Sequence, residues 1–431
     1  MSEKQTVSLR SLGGTRAGEM RLGRWFANDA VTTEELIENI TNSVRPLVKD
    51  CHVLGIQDTT EINYQAHCAR ITEGLGPVGN GKDLGFFMHP MLVLDAQEGT
   101  CLGLSAIKAW TRTWESKDDY KKLLIEEKES YRWIEVAQTS KEVLSQANKI
   151  TIIADRESDI YEEWARIPDE KTHLITRACR DRKLGNGQTL FEYVNSLEVC
   201  GSYEVELPKR MGKRSAHKAC LGIRMSEIEI KKPSNCRDKM APLSIKLRVV
   251  DVKEKPETVV GTEEAIHWCL LTTHEVRTKE DALQIVTWYC TRWNVEQLFR
   301  TLKKQGLDIE SSQMETGSGL MKLGIVALSV ALQTMQLTLA REGKDQPVSV
   351  VFKSEECQVL TKLQIKLEGK TVKQKNPHPP DRLSWAAWII ARLGGWKGYQ
   401  SESPPGPITM LRGLRRFQSI MEGVQLAKLC A

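Results

Sequence analysis

Two short apolar runs in this chain each end in an aspartate. His52-Val53-Leu54-Gly55-Ile56 leads into Gln57-Asp58-Thr59-Thr60, and Ile150-Thr151-Ile152-Ile153-Ala154 leads into Asp155. Apolar runs of this length with polar flanks predict buried strands. Upstream, residues 32–48 have helical spacing at Leu36, Ile37, Ile40 and Val44. Between the two runs, residues 86–106 predict two strands about a turn at Gln97-Glu98-Gly99-Thr100, and the charged stretch 118–147 predicts an amphipathic helix. A helix over 156–167 and a strand at His173-Leu174-Ile175-Thr176-Arg177 are predicted next.

The pattern changes over residues 196–275. Two-residue alternation at 202–207, 243–252 and 266–272 predicts an antiparallel β insertion in an otherwise α/β chain. Residues 279–305 predict one continuous helix, and 319–341 its hairpin partner. Residues 343–382 are lysine-rich and end in Pro377-His378-Pro379-Pro380, which predicts a partly flexible linker. Two helices close the chain: 383–393, stopped by Gly394-Gly395, and 408–429, started after Pro404-Pro405-Gly406-Pro407. The expected organisation is an N-terminal helical region at 1–50, an α/β domain at 51–342 with the insertion at about 196–275, and a C-terminal helical domain at 343–431.

Composition narrows the chemistry. The 61 basic residues exceed the 56 acidic ones by only five, so net charge alone does not point to nucleic acid. The 11 cysteines form no C-x-x-C pair and the eight histidines show no ligand spacing. Reduced thiols in an intracellular, cytoplasmic protein are expected, and any metal should be held by carboxylates, which favours Mg2+ or Mn2+. The first residues are polar, so no signal peptide is read. The most apolar run, 323–340, holds Ser329, Gln333, Thr334 and Gln336 and reads as a buried helix rather than a membrane span.

Strand ends are where polar groups converge in α/β sheets, so Asp58 and Asp155 are candidate site residues. Asp155 suits a helix cap equally well. On a helix through 279–305, at about 100° per residue, Tyr289, Arg292, Arg300 and Lys303 fall within roughly 60° of Glu296. Such a face fits a solvated set of ion pairs. It also fits a phosphodiester held by cations over a carboxylate-bound metal. Three carboxylates from two strands and a helix could hold two divalent cations for in-line phosphoryl transfer.

These three blocks resemble a known family. Gln57-Asp58-Thr59-Thr60, Asp155-Arg156-Glu157-Ser158-Asp159-Ile160 and Tyr289-Cys290-Thr291-Arg292-Trp293-Asn294-Val295-Glu296 are similar to the catalytic blocks of DDE transposases of the bacterial insertion-sequence type, the group that serves a kanamycin-resistance composite transposon. Tyr289, Arg292, Glu296 and Lys303 fill the signature Y-x2-R-x3-E-x6-K. The resemblance spans roughly residues 20–430 and includes Ala391-Arg392-Leu393-Gly394-Gly395. It implies an α/β fold with a ribonuclease-H-like mixed sheet flanked by helices, an antiparallel β insertion and a C-terminal helical domain. It implies Asp58, Asp155 and Glu296 as ligands of a two-metal Mg2+ or Mn2+ site. It also implies Tyr289, Arg292, Lys303 and Arg177 as phosphate contacts and Trp268 as the insertion tryptophan that stacks on a flipped base during hairpin formation. Arg300, on the cationic face, is a further DNA-binding candidate. The implied partner is double-stranded DNA, at transposon ends and target, bound by a homodimer, with no membrane.

Some features are open to two readings. The basic turn Lys209-Arg210-Met211-Gly212-Lys213-Arg214, and Arg180, Arg182 and Lys183, suit either a solvated loop or phosphate contacts. Leu411, Leu414, Met421 and Val424 form an apolar stripe that suits either a core or the family's dimer contact. Only 57 residues precede Asp58, fewer than the family normally has, so an inhibitor that dimerises with a longer sibling is the alternative to an active cut-and-paste transposase. Gly74-Leu75-Gly76-Pro77-Val78-Gly79 matches G-x-G-x-x-G but follows no predicted strand and holds Pro77, so no dinucleotide site is expected.

Overall fold

The computed structural model describes residues 1, 4–71, 73–114, 122–209, 214–261, 264–344, 346–399 and 402–430. The chain is mixed α/β. Its strands are β1 (His52–Gln57), β2 (Thr60–Asn63), β3 (Gly76–Val78), β4 (Asp83–Asp95), β5 (Cys101–Trp110), β6 (Lys149–Ala154), β7 (Thr172–Arg177), β8 (Gly201–Leu207), β9 (His217–Lys231), β10 (Ser244–Glu254) and β11 (His267–Thr272). Its helices are α1 (Leu9–Gly13), α2 (Arg16–Ala27), α3 (Thr33–Asn42), α4 (Tyr131–Val143), α5 (Tyr161–Arg166), α6 (Leu190–Ser196), α7 (Lys279–Cys290), α8 (Trp293–Leu302), α9 (Gly317–Ala340), α10 (Ser354–Leu367), α11 (Leu383–Leu393) and α12 (Pro407–Cys430). They form two compact units. One comprises Met1–Lys49, Thr59–Ser116 and Trp293–Ala431; the other comprises Asp50–Asp58 and Lys117–Arg292.

In the first unit, β2, β3 and β5 each pair antiparallel with the long strand β4. Helix α9 is its hub, packed by α2, α3, α8, α11, α12 and β5. By length and composition α9 could cross a membrane, yet 78% of its apolar window is buried inside the protein. Ten of the eleven residues of α11 are buried, and its core includes Met410, Leu414, Phe417 and Met421 of α12. Full burial of each Leu or Phe contributes roughly 1.5–3 kcal/mol. Leu411, Leu414 and Met421, three of the four stripe residues, are thus core within this chain. The α11–α12 crossing is tight enough to require glycine, since a Cβ on Gly413 would lie 1.8 Å from the Ile390 carbonyl oxygen.

The lysine-rich stretch is not the expected linker. Its residues 354–367 form α10, whose Leu360 is buried and whose Val359, Leu363 and Leu367 pack on the C-terminal core. Glu356 caps its start by accepting from the Lys353 N–H at 2.8 Å. The apolar face outweighs the lysine content, because Lys362 and Lys366 need only a solvated side.

In the second unit, β1, β6 and β7 run parallel. Strand β11 joins β7 antiparallel, and β10, β9 and β8 follow in antiparallel order. The antiparallel strands therefore continue the parallel ones rather than forming a detached sheet. Strands β1 and β6 are buried almost throughout, as expected where helices cover both faces. Helix α4 packs on β1, and α7 packs on β6, β9 and β10. The described helix within 118–147 is the shorter α4. The stretch 156–167 is a single-turn 3-10 helix at Arg156–Ser158 followed by α5.

Candidate active site at the strand ends

Asp58 and Asp155 follow the last residues of neighbouring parallel strands. The β1–β6 register runs from His52 beside Lys149 to Ile56 beside Ile153; carried two residues on, it sets Asp58 beside Asp155. The β6–β7 register ends with Ala154 beside Thr176; one residue on, it sets Asp155 beside Arg177. Neighbouring strands lie about 4.8 Å apart, and residues at equal register share a face. Two acids and one arginine thus stand in a row across the C-terminal edge of the parallel strands, where ligands bind in α/β sheets.

Each member of the row is held. Arg292 Nη1 lies 3.0 Å from Asp58 Oδ2, with both side chains mostly buried. Asp155 Oδ1 accepts the Glu157 N–H at 2.8 Å and caps the turn that follows. The cap therefore uses one oxygen of a side chain that stays partly exposed. Arg177 Nη2 donates to the His267 carbonyl at 3.0 Å, which fixes it against β11.

Tyr289 closes the site from α7. It is buried, and its ring meets that of half-buried Trp268 edge-on at 5.9 Å. Burial pushes its phenol above the usual tyrosine range, opposed by the charges of Arg292 and Arg177 and reinforced by Asp155. The phenol is therefore a protonated hydrogen-bond donor at neutral pH, in the field of three of the charged residues named above.

The expected single helix over 279–305 is broken. Helix α7 ends at Cys290 and α8 begins at Trp293. Thr291 ends α7 by donating its hydroxyl to the Trp288 carbonyl at 2.6 Å, while the Arg292 N–H bonds the Tyr289 carbonyl at 3.0 Å. A threonine hydroxyl competes with the helix for backbone groups, which periodicity does not register. Tyr289, Arg292 and Glu296 therefore do not share one helix face: Tyr289 is on α7, Arg292 in the turn, and Glu296 in the first turn of α8.

On α8, Glu296 is partly exposed. Lys303 Nζ lies 4.0 Å from Glu310 Oε1. Arg300 is exposed and its Nε donates to Gln305. Among the described residues, no three of His, Cys, Asp or Glu converge closely enough to hold a metal. The donor chemistry of Asp58 and Asp155, both in the second unit, suits a hard cation.

Two other outcomes concern basic candidates. Arg182 is buried against Asp159, with Nε 2.8 Å from Oδ1, so it is an internal ion pair rather than a surface contact. Arg180 and Lys183 are exposed. Most of the turn 209–214 lies outside the described residues.

Sequence reasoning passed over the groups beneath the row. Glu163, Gln57, Ser158 and Asp159 are all buried and hydrogen-bonded to one another or to the segment after β7. Their one sequence signal is that they lie in or beside the two aspartate blocks. An acid in the first turn of a short helix otherwise reads as solvated.

Residues 134–331 match the protein family described as Transposase DDE domain. The matched stretch holds Asp155, Arg177, Trp268, Tyr289, Arg292, Glu296 and Lys303, while Asp58 precedes it. The match supports a DDE-type transposase family for this chain. Among solved structures, a cryo-EM structure of a piggyBac transposase synaptic complex with hairpin DNA aligns with 88% of this chain and 54% of its own, at TM-score 0.34 and 10% identity. The chain thus spans about half the length of that transposase.

Proposed function

We propose that this chain is a cut-and-paste DNA transposase whose site is the row Asp58, Asp155 and Arg177 with Tyr289, Arg292, Glu296 and Lys303. The observation that carries the reading is the parallel register of β1 on β6 and of β6 on β7, which, continued past its last pairs, sets Asp58, Asp155 and Arg177 side by side. The family match over 134–331 supports it. On this reading the core is ribonuclease-H-like, residues 343–431 contribute to a homodimer on DNA, and the transposase is of the bacterial insertion-sequence type.

Two Mg2+ or Mn2+ ions held by Asp58, Asp155 and Glu296 would neutralise charge at the scissile phosphate and lower the pKa of an attacking water. The chain's own residues do the positioning. Arg177, held by the His267 carbonyl, presents a fixed guanidinium to a phosphate oxygen. Arg292 is paired with Asp58 and can exchange that carboxylate for a DNA phosphate of the same charge. Tyr289 keeps its proton and donates a hydrogen bond. Lys303 and Arg300 add positive charge along the DNA backbone. Trp268 offers an aromatic face to an extruded base, which offsets an unstacking cost of a few kcal/mol. The resulting sequence is hydrolytic nicking, hairpin formation by the freed 3′-hydroxyl, hairpin opening and strand transfer to target DNA.

The test is cleavage of DNA bearing the element's own ends with Mg2+ or Mn2+. Asp58→Ala, Asp155→Ala and Glu296→Ala should each abolish cleavage, and activity surviving any of them contradicts the assignment of that residue. End binding without cleavage, together with suppression of a longer active sibling, would support the dimerising inhibitor instead.

A further inference from the structure

We propose that Glu163 is a positioning residue for the two strand-end aspartates: a buried carboxyl that ties the end of β1 to the turn after β6. Gln57 Nε2 donates to Glu163 Oε1 at 3.1 Å. Ser158 Oγ bonds Glu163 Oε2 at 2.5 Å. Gln57 is the residue immediately before Asp58, and Ser158 ends the turn that Asp155 caps. One side chain therefore grips the backbone neighbourhoods of both acids from the protein interior.

All three members of the bridge are buried, at 0% exposure for Gln57 and 1% for Ser158 and Glu163. A buried polar group that loses its partner costs about 1–3 kcal/mol. Sliding either strand end out of register would break one of these bonds, so the network resists the displacement that would part Asp58 from Asp155. Burial pushes the Glu163 carboxyl up to about 8, opposed by the bonds from Ser158 and Gln57 and reinforced by Asp159. The neutral acid forms the bridge without adding a negative charge behind the row. Asp159 does the corresponding job one strand further on. Paired with Arg182, it accepts the N–H groups of Cys179 and Arg180, each at 3.0 Å, just after Arg177.

The inference rests on the transposase reading. The experiment uses the purified full chain and follows Mn2+-dependent nicking of a supercoiled plasmid carrying the element's ends. It also measures Mn2+ binding by electron paramagnetic resonance without DNA, and folding by circular dichroism. Outer groups that orient metal ligands change metal affinity by about 10–100-fold, and a 1 Å misplacement costs about 100-fold in rate. Glu163→Ala should lower kcat by roughly 10–100-fold and weaken Mn2+ binding about tenfold, with the KM for DNA unchanged. Glu163→Gln keeps two hydrogen-bonding ends and should stay within about threefold of the native rate and Mn2+ affinity. If Glu163→Ala does not fold, Ser158→Ala decides: a lower kcat at constant KM supports the bridge, and native kinetics overturn it. A folded Glu163→Ala with native kcat and Mn2+ affinity overturns the proposal, as does Gln failing as badly as Ala. Failure of the underlying reading looks different: the native chain would then show no Mn2+-dependent nicking that Asp155→Asn removes.

Discussion

The two ends of the parallel strands in the second unit solve opposite problems. At the C-terminal ends, Asp58, Asp155 and Arg177 are ionisable groups left partly exposed, each held by polar partners. Toward the entering ends, His52, Thr151, His173 and His274 form a closed cluster. Thr151 Oγ1 lies 2.8 Å from Nε2 of both His52 and His274. His173 stacks on His274 at 4.1 Å, and Trp288 meets His52 edge-on at 4.9 Å. Burial, helped by His173, His52 and Lys149, pushes His274 down to about 2, so it is neutral. A polar cluster that satisfies itself and sheds its charge is there for structure. One that sets acids and an arginine at an open edge has chemistry left to do. The residue types alone do not separate these cases, since histidine and aspartate are both common in active sites.

The comparison can be broken from either end. The largest effect is expected from Asp155→Asn: cleavage falls at least about a thousandfold, from several kcal/mol of lost charge stabilisation at 1.36 kcal/mol per decade. Its melting temperature should move little, and a large drop there would make Asp155 a structural cap. Next comes His274→Ala, which removes a buried ring and should destabilise by roughly 2–4 kcal/mol in urea unfolding while leaving end cleavage by the folded fraction near native. Selective loss of cleavage would place the histidines in the chemistry. Arg177→Ala should weaken end binding by about 10–100-fold, as expected for a charge-assisted hydrogen bond to phosphate. An unchanged affinity would remove it from the interface.

Acid and base should act on different residues. His274 has a depressed folded pKa, so its contribution is present above the unfolded value of 6.5 and is lost as pH falls from there towards about 2. At pH 5 the loss is roughly 1–2 kcal/mol relative to pH 7, and His274→Gln should flatten that limb. Glu163 has the opposite sign. Its folded pKa is raised, so its contribution is present below 4.5 and lost as pH rises to about 8, with Asp159 the neighbouring charge. Unfolding midpoints measured across pH in Glu163→Gln should lose that alkaline slope. The smallest effect is expected from exposed Arg300→Ala: stability within about 0.5 kcal/mol, and a salt slope of DNA binding lower by about one.

Much of the site could be read from periodicity because β1 and β6 are buried strands. Continuous apolar runs are what such strands require, and the acids stand where the runs stop. The two-strand hairpin at β4 and β5 and the buried helix α9 were legible for the same reason. Three features were hidden. The break at Thr291, where the Thr291 hydroxyl and the Thr291 and Arg292 N–H groups bond carbonyls three residues back, lies inside an unbroken helical pattern. Helix α10 looked like a linker because the whole stretch 343–382 is lysine-rich and ends in prolines, which masks the apolar face of Val359, Leu360, Leu363 and Leu367. The burial of Glu163 and Asp159 left no mark in the sequence because it is set by partners distant along the chain, Gln57 for one and Arg182 for the other.

The most direct test compares Asp155→Asn with His274→Ala, measuring Mn2+-dependent cleavage of end DNA and the unfolding midpoint on the same preparations. The expected result is a double separation: Asp155→Asn stays folded with a near-native midpoint and does not cleave, while His274→Ala cleaves below its lowered midpoint. Asp155→Asn that still cleaves, or His274→Ala that remains stable but inactive, would contradict the division of labour between the two strand ends.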